Sequence, residues 1–132
     1  METYKIAVIA GDGVGPEVIA EGMKVLNKVA ELDGSFRFEF TEFPWGCEYY
    51  LKTGKMMDDD GIETLSKFDA IYLGAVGMPG VPDHVSLWDL LLRIRHDFDE
   101  YVNVRPVKLL NGAPCPLEGC KKGDIDMIVI RE

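Results

Sequence analysis

The chain has 132 residues with 14 basic and 23 acidic side chains, a formal net charge of -9; that length allows one real core, and the charge opposes nonspecific grip on a polyphosphate backbone, which speaks against a nucleic-acid partner. With 47% apolar and 28% charged residues and no apolar run near the ~18–20 residues of a membrane span, the chain reads as a soluble, folded protein. The five apolar residues ahead of Gly11 are too few for a secretory signal, so a cytoplasmic protein is expected.

Residues 5–10 form a nearly continuous, β-branched apolar run that stops at Gly11-Asp12-Gly13-Val14-Gly15-Pro16, which predicts a buried strand feeding a tight turn. From Pro16 the period changes: Val18, Ile19, Met23, Val25, Leu26 and Val29 recur at helical spacing, with Pro16 and Glu17 suited to a first turn. Residues 35–43 alternate apolar and polar strictly, the pattern of a strand with one wetter face near a sheet edge. Residues 45–52 and 58–68 look helical, the second opening on an acidic cluster and carrying Ile62 and Leu65 three apart.

Residues 69–76 read as another buried strand, closed by the irregular glycine and proline loop 77–82. Then follow a helix at 87–98, a strand at 102–110, a loop at 111–123 and a last buried strand at 125–131. The alternation predicts an α/β fold with a mixed, largely parallel sheet and flanking helices. A parallel sheet buries both faces, so the run 125–130 would need covering elements and a crossover after it. The chain is therefore expected to be incomplete, a fragment or one part of a larger assembly.

The glycine turn has two readings. It could cradle an anion with its N–H groups, although it is not a G-x-G-x-x-G fingerprint and Pro16 removes a donor; or it is a tight strand-to-helix connection. The arginines say more. Arg93 and Arg95 lie two apart on a helix, pointing about 200° away from each other, so only one can face a given pocket. Arg105 sits mid-way along an apolar strand and Arg131 ends another, where a guanidinium must find a carboxylate or lose hydration at a cost of several kcal/mol. Pairing with the abundant Asp and Glu is one account; a fork of arginines receiving a small polycarboxylate is the other. His84 and His96 belong to no nucleophile or metal constellation, and Asp58-Asp59-Asp60 reads as a solvated helix start rather than a metal site. Cys47, Cys115 and Cys120 form an odd set with no CxxC and read as structural thiols.

Taken in order, Gly11 to Val18, Leu73-Gly74-Ala75-Val76-Gly77, Leu92-Arg93-Ile94-Arg95 and Tyr101-Val102-Asn103-Val104-Arg105-Pro106 resemble the β-decarboxylating dehydrogenases, the family of isopropylmalate, isocitrate, tartrate and D-malate dehydrogenases. The resemblance runs from Lys5 to Glu132. It implies oxidation of a 2-hydroxy acid with NAD or NADP and loss of the β-carboxylate with help from Mg2+ or Mn2+. By resemblance Arg95, Arg105 and Arg131 match the substrate-binding arginines, while Arg93 matches no such position. The loop 77–88, with Gly77, Pro79 and Trp88, is similar to the segment bordering the nicotinamide end of the cofactor, and the opening glycine turn is not a dinucleotide fingerprint in this family.

Within the family, Asp89 and Leu91 stand where isocitrate dehydrogenases carry serine and asparagine, which disfavours isocitrate. The run Ser86-Leu87-Trp88-Asp89-Leu90-Leu91-Leu92 most resembles tartrate or D-malate dehydrogenases. The resemblance places the catalytic tyrosine and lysine, the metal-binding aspartates and the adenosine-binding segment beyond Glu132, so no catalytic or metal-binding residue is expected in this chain. Residues 1–99 correspond to the N-terminal half of the first, cofactor-side domain and 100–132 to the start of the second, substrate and dimer domain. The expectation is the N-terminal part of an NAD- and metal-dependent oxidative decarboxylase of small 2-hydroxy dicarboxylic acids, homodimeric when full-length and inactive as the isolated chain. The alternatives are an isopropylmalate dehydrogenase fragment and a noncatalytic carboxylate-binding module that docks to another chain.

Overall fold

The structure is a computed structural model that describes residues 1–131. Met1–Asp97 form one compact unit, and a second begins at Phe98.

In the first unit β1 (Glu2–Ile9) is flanked by β2 (Phe36–Phe43) and β3 (Ala70–Leu73) in the order β2-β1-β3. Both pairings are parallel, with Ile6 opposite Phe40 on one side and Ala70 on the other. A central parallel strand has no wet face, which is why residues 5–10 read as an apolar run and not as an alternation. Ile6 and Val8 join Ile19 of α1 (Gly15–Asp33) in one cluster, with Met23, Phe38, Phe40 and Tyr72 packed around it. By the strand's period of two, Ala7 and Ile9 point to the opposite face, and both are completely buried. Burial of such side chains stabilises the fold by roughly 1.5–3 kcal/mol each for the larger ones.

β2 is the edge strand that its alternation predicts. Phe36, Phe38 and Phe40 are half-buried and form an aromatic row with ring centroids 5.4 and 5.8 Å apart along the strand, while Arg37 and Glu39 pair on the wet face at 2.9 Å. The helical period of α1 is also as predicted, but the stripe is wider than the buried face: Ile19 is buried, whereas Val18, Val25 and Val29 are about half exposed or more. The helix ends at Gly34, whose φ of 73° lets its N–H reach the carbonyl of Ala30.

The next two helices are shorter than the periodicity suggests. α2 spans Cys47–Thr53 and α3 only Gly61–Leu65. The acidic cluster forms the turn before α3, and Asp58 is anchored there, accepting from Trp45 Nε1 at 3.3 Å and from the Tyr49 hydroxyl. Trp45 is buried and stacks on Phe43 at 4.5 Å. The helix predicted from Leu87 begins earlier, as α4 (Asp83–Ser86) behind Pro82, continues through a π-helical turn at Leu87–Leu91 and ends as α5 (Leu92–Asp97).

In the second unit β4 (Asn103–Lys108) and β5 (Asp126–Arg131) form an antiparallel pair joined by a long loop. This corrects the expectation of a parallel last strand, while the bare apolar side chains accord with the expected lack of covering elements. All six residues of β5 are exposed, Ile128 at 65% and Ile130 at 70%. Apolar composition alone does not distinguish a strand buried in a parallel sheet from one whose apolar side chains face solvent in a hairpin; the pairing direction does. Lys108 and Asp126 close the loop end of the ladder with a 2.9 Å ion pair. Among the described residues no helix is long and apolar enough to cross a membrane.

Candidate functional site

The turn after β1 is a backbone junction. Asp12 donates its N–H to the carbonyl of Ala75 at 2.7 Å, and Gly74 donates to the carbonyl of Ile9 at 2.8 Å, so the turn and the segment after β3 lie directly against each other. A Cβ on Gly11, which has φ +76°, would stand 2.0 Å from the Ala75 oxygen, and one on Gly15 would stand 2.2 Å from that of Ala10. Those glycines answer to close approach. The N–H of Gly15 is spent on the carbonyl of Asp12 at 2.9 Å. With the Asp12 carboxylate also in the turn, the junction is unsuited to an anion, and the anion-cradle reading falls.

Asp12 is a buried carboxylate that the sequence reading assigns no role. It accepts the N–H of Cys47 at 2.9 Å through Oδ1 and that of Gly77 at 3.1 Å through Oδ2. Burial alone would push its pKa up. The N–H groups of Gly77, Cys47 and Glu48, with the Cys47 thiol, together outweigh that and hold it below its ordinary 3.8. The N-cap of α2 is Gly46, which has no side chain to satisfy the helix's first N–H groups, and Asp12 supplies that cap from another turn. The same carboxylate and burial push the Cys47 thiol up to about 11, burial being the larger cause. The signal in the sequence is an ionisable residue set between glycines at the end of an apolar strand.

One carboxylate therefore fixes where the loop 77–82 leaves the fold. Gly77 is exposed with φ +137°, and a Cβ there would meet nothing within 4 Å; Pro79 is exposed as well. Trp88, on the π-helical turn, is 66% exposed, while Leu90 two residues on is fully buried. The wider π-helical turn is a feature that hydrophobic periodicity does not reveal.

Arg95 is half-buried on α5. Arg93, on the other side of that helix, approaches Asp97 at 3.7 Å and donates to the carbonyl of Asp59 at 3.4 Å, which ties α5 to the acidic turn. In the second unit, Asn103 lies opposite Arg131 and Arg105 opposite Val129. Strand alternation then puts Asn103, Arg105 and Arg131 on one face of the hairpin, the two arginines as diagonal neighbours within reach of long side chains. Arg105 Nε donates to Asn103 Oδ1 at 3.3 Å. Both arginines are exposed, so the expected choice between pairing and costly desolvation does not arise. Two guanidiniums and an amide on one face can receive carboxylate oxygens in forked geometry. Among the described residues no three His, Cys, Asp or Glu side chains converge to hold a metal ion.

The profile of the isocitrate/isopropylmalate dehydrogenase family matches residues 5–132. The D-malate dehydrogenase [decarboxylating] of Escherichia coli (strain K12) is 57% identical over 134 residues, covering 100% of this chain and 37% of its own length. A probable tartrate dehydrogenase/decarboxylase of Bacillus subtilis (strain 168) is 53% identical over 133 residues, with the same coverage of 100% and 37%. The apo crystal structure of a β-decarboxylating dehydrogenase from Thermococcus kodakarensis superposes with a TM-score of 0.67 at 28% identity, over 97% of this chain and 33% of that one. The chain thus spans about 37% of the length of the two relatives it matches.

Proposed function

The chain belongs to the isocitrate/isopropylmalate dehydrogenase family, and we propose that it serves as the opening portion of a decarboxylating dehydrogenase acting on a small 2-hydroxy dicarboxylic acid of the tartrate or D-malate type. The carrying observation is the 57% and 53% identity, over the whole of this chain, to proteins named for those two activities. The arginine pair on one hairpin face supports the same reading: a dicarboxylate needs charged, forked donors at fixed spacing.

In this reading Arg105 and Arg131 bind the substrate carboxylates and Asn103 orients Arg105, while Arg95 is assigned to substrate binding by the family resemblance alone. Fixed donors restrict the substrate to the pose in which its C2 hydrogen faces the acceptor, converting orientation from a cost of reaction into a cost of binding. Gly77, Pro79 and Trp88 border the nicotinamide ring of NAD, which when bound supplies the hydride acceptor. Asp12 keeps that border in place through Gly77. By the family resemblance, side chains outside these 132 residues would hold Mg2+ or Mn2+ and transfer the protons. Residues 1–99 belong to the cofactor-side domain and 100–132 open the substrate and dimer domain of a cytoplasmic homodimer.

The test is NAD-linked oxidation of D-malate, tartrate, isopropylmalate and isocitrate, with Mg2+ or Mn2+, by protein purified from the native reading frame, with its intact mass measured on the same sample. Turnover of D-malate or tartrate well above the other two is expected, from a species heavier than 132 residues. Preference for isopropylmalate would overturn the substrate assignment. Robust turnover by the pure 132-residue chain would overturn the division of labour.

A further inference from the structure

Asn103 opens β4 and is the one residue of that strand that is not exposed. Two residues along the same face is Arg105, whose Nε donates to Asn103 Oδ1 at 3.3 Å. Directly across the ladder from Asn103 is Arg131, and Val129, opposite Arg105, takes the fourth corner of the square with an apolar side chain. A guanidinium offers only donors, so the bond from Arg105 decides which way the amide lies: the oxygen turns to Arg105, and the Nδ2 group keeps two N–H donors. Arg131 cannot accept from them, because it too has only donors, and Val129 has no polar atom. An amide NH2 and a guanidinium on adjacent positions therefore call for an acceptor from outside. A carboxylate, with about four lone-pair sites on two oxygens, accepts from both at once.

We propose that Asn103 binds substrate in its own right, its Nδ2 donating to an oxygen of the carboxylate that Arg131 receives while its Oδ1 holds Arg105 for the other carboxylate. One amide then serves both ends of a small dicarboxylic acid, as a donor at one and as the acceptor that fixes the arginine at the other. Aspartate in its place would hold Arg105 but lose the donor and repel the anion, and leucine would keep the size and lose both functions. The inference rests on the assignment of Arg105 and Arg131 to the substrate carboxylates, and it adds a contact which that assignment does not require: an amide that only oriented Arg105 need never touch the substrate.

The test is a double-mutant cycle on the full-length protein from the native reading frame, read as the dissociation constant of D-malate by calorimetry with Mg2+ present, so that no turnover is needed. Asn103→Ala should weaken binding about tenfold, the loss of a hydrogen bond to a charged group. In the Arg105→Ala background the same change should still cost at least about threefold, and in the Arg131→Ala background less than about twofold, because the carboxylate it contacts is no longer held there. Asn103→Asp should bind D-malate more weakly than Asn103→Ala. If the effect of Asn103→Ala vanishes once Arg105 is gone, or if Asn103→Asp binds as the wild type does, the amide acts only through the arginine and the proposal is overturned while the arginine assignment stands. If Arg105→Ala and Arg131→Ala each leave the dissociation constant within about twofold of wild type, the assignment and the proposal fall together.

Discussion

Gly77 donates its backbone N–H to Oδ2 of Asp12 at 3.1 Å, a bond between residues 65 positions apart. Because Oδ1 of the same side chain receives Cys47, one carboxylate joins the turn after β1, the start of α2 and the loop that leaves β3. The charge is retained because it is bonded on both oxygens, and its removal has consequences at all three places.

Asp12→Ala should lower stability by about 3 kcal/mol, since two or more backbone donors lose a charged acceptor, and Asp12→Asn by roughly half of that because one oxygen remains. The Asp12 pKa is lower in the fold than its ordinary 3.8, so the unfolded chain binds more protons as pH falls through this range. Its contribution is full above about pH 5 and fades as pH drops below 4 toward the folded value. Urea midpoints measured along that range should fall more steeply for the wild-type chain than for Asp12→Asn; parallel curves would show that another carboxylate sets the slope.

Cys47 should resist thiol reagents in the folded chain at neutral pH, being buried and pushed up to about 11, so that almost none of it is thiolate. Titration of the reduced native protein with a disulfide reagent should reveal Cys115 and Cys120 quickly and Cys47 only on unfolding. Three equally fast thiols would mean that the junction under Asp12 opens readily.

Two glycines of the first turn should respond differently to alanine. At Gly11 the new Cβ would collide with the Ala75 carbonyl at 2.0 Å, with φ at +76°, and the cost should exceed about 3 kcal/mol because backbone must move. At Gly13 the φ of +57° is just as left-handed but the space is open, leaving only the strain of about 1–2 kcal/mol. Thermal unfolding of the two variants separates collision from strain.

Arg105→Ala and Arg131→Lys should change stability by less than about 0.5 kcal/mol, since both side chains lie on an exposed face. In the full-length protein each should raise the KM for a dicarboxylate at least tenfold, the lysine variant because it keeps the charge and loses the fork. Unchanged kinetics for both variants would remove the hairpin face from the substrate site.

The opening of the fold was legible because its physics is local. The apolar run in β1, the change of period at Pro16 and the alternation in β2 each report one element's own environment; α1 and β2 begin within one residue of where the patterns put them, and β1 begins three residues earlier, at Glu2. The family motifs are legible for the same reason: they are short strings in a fixed order.

The remainder depends on partners distant in sequence. Nothing near Asp12 in the chain indicates that Gly46 leaves α2 without its own cap, or that Gly77 comes within 3.1 Å. The run 125–131 carries the same apolar signal whether it lies in a parallel sheet or pairs antiparallel with β4, and only the ladder decides. That ladder also puts Arg105 and Arg131 on one face, because their register, and not their separation of 26 positions in sequence, sets which side each occupies. Sequence by itself determined the family, the first strands and the helix between them; tertiary structure decided which polar groups meet, since hydrogen bonds and strand register join residues that no local pattern relates.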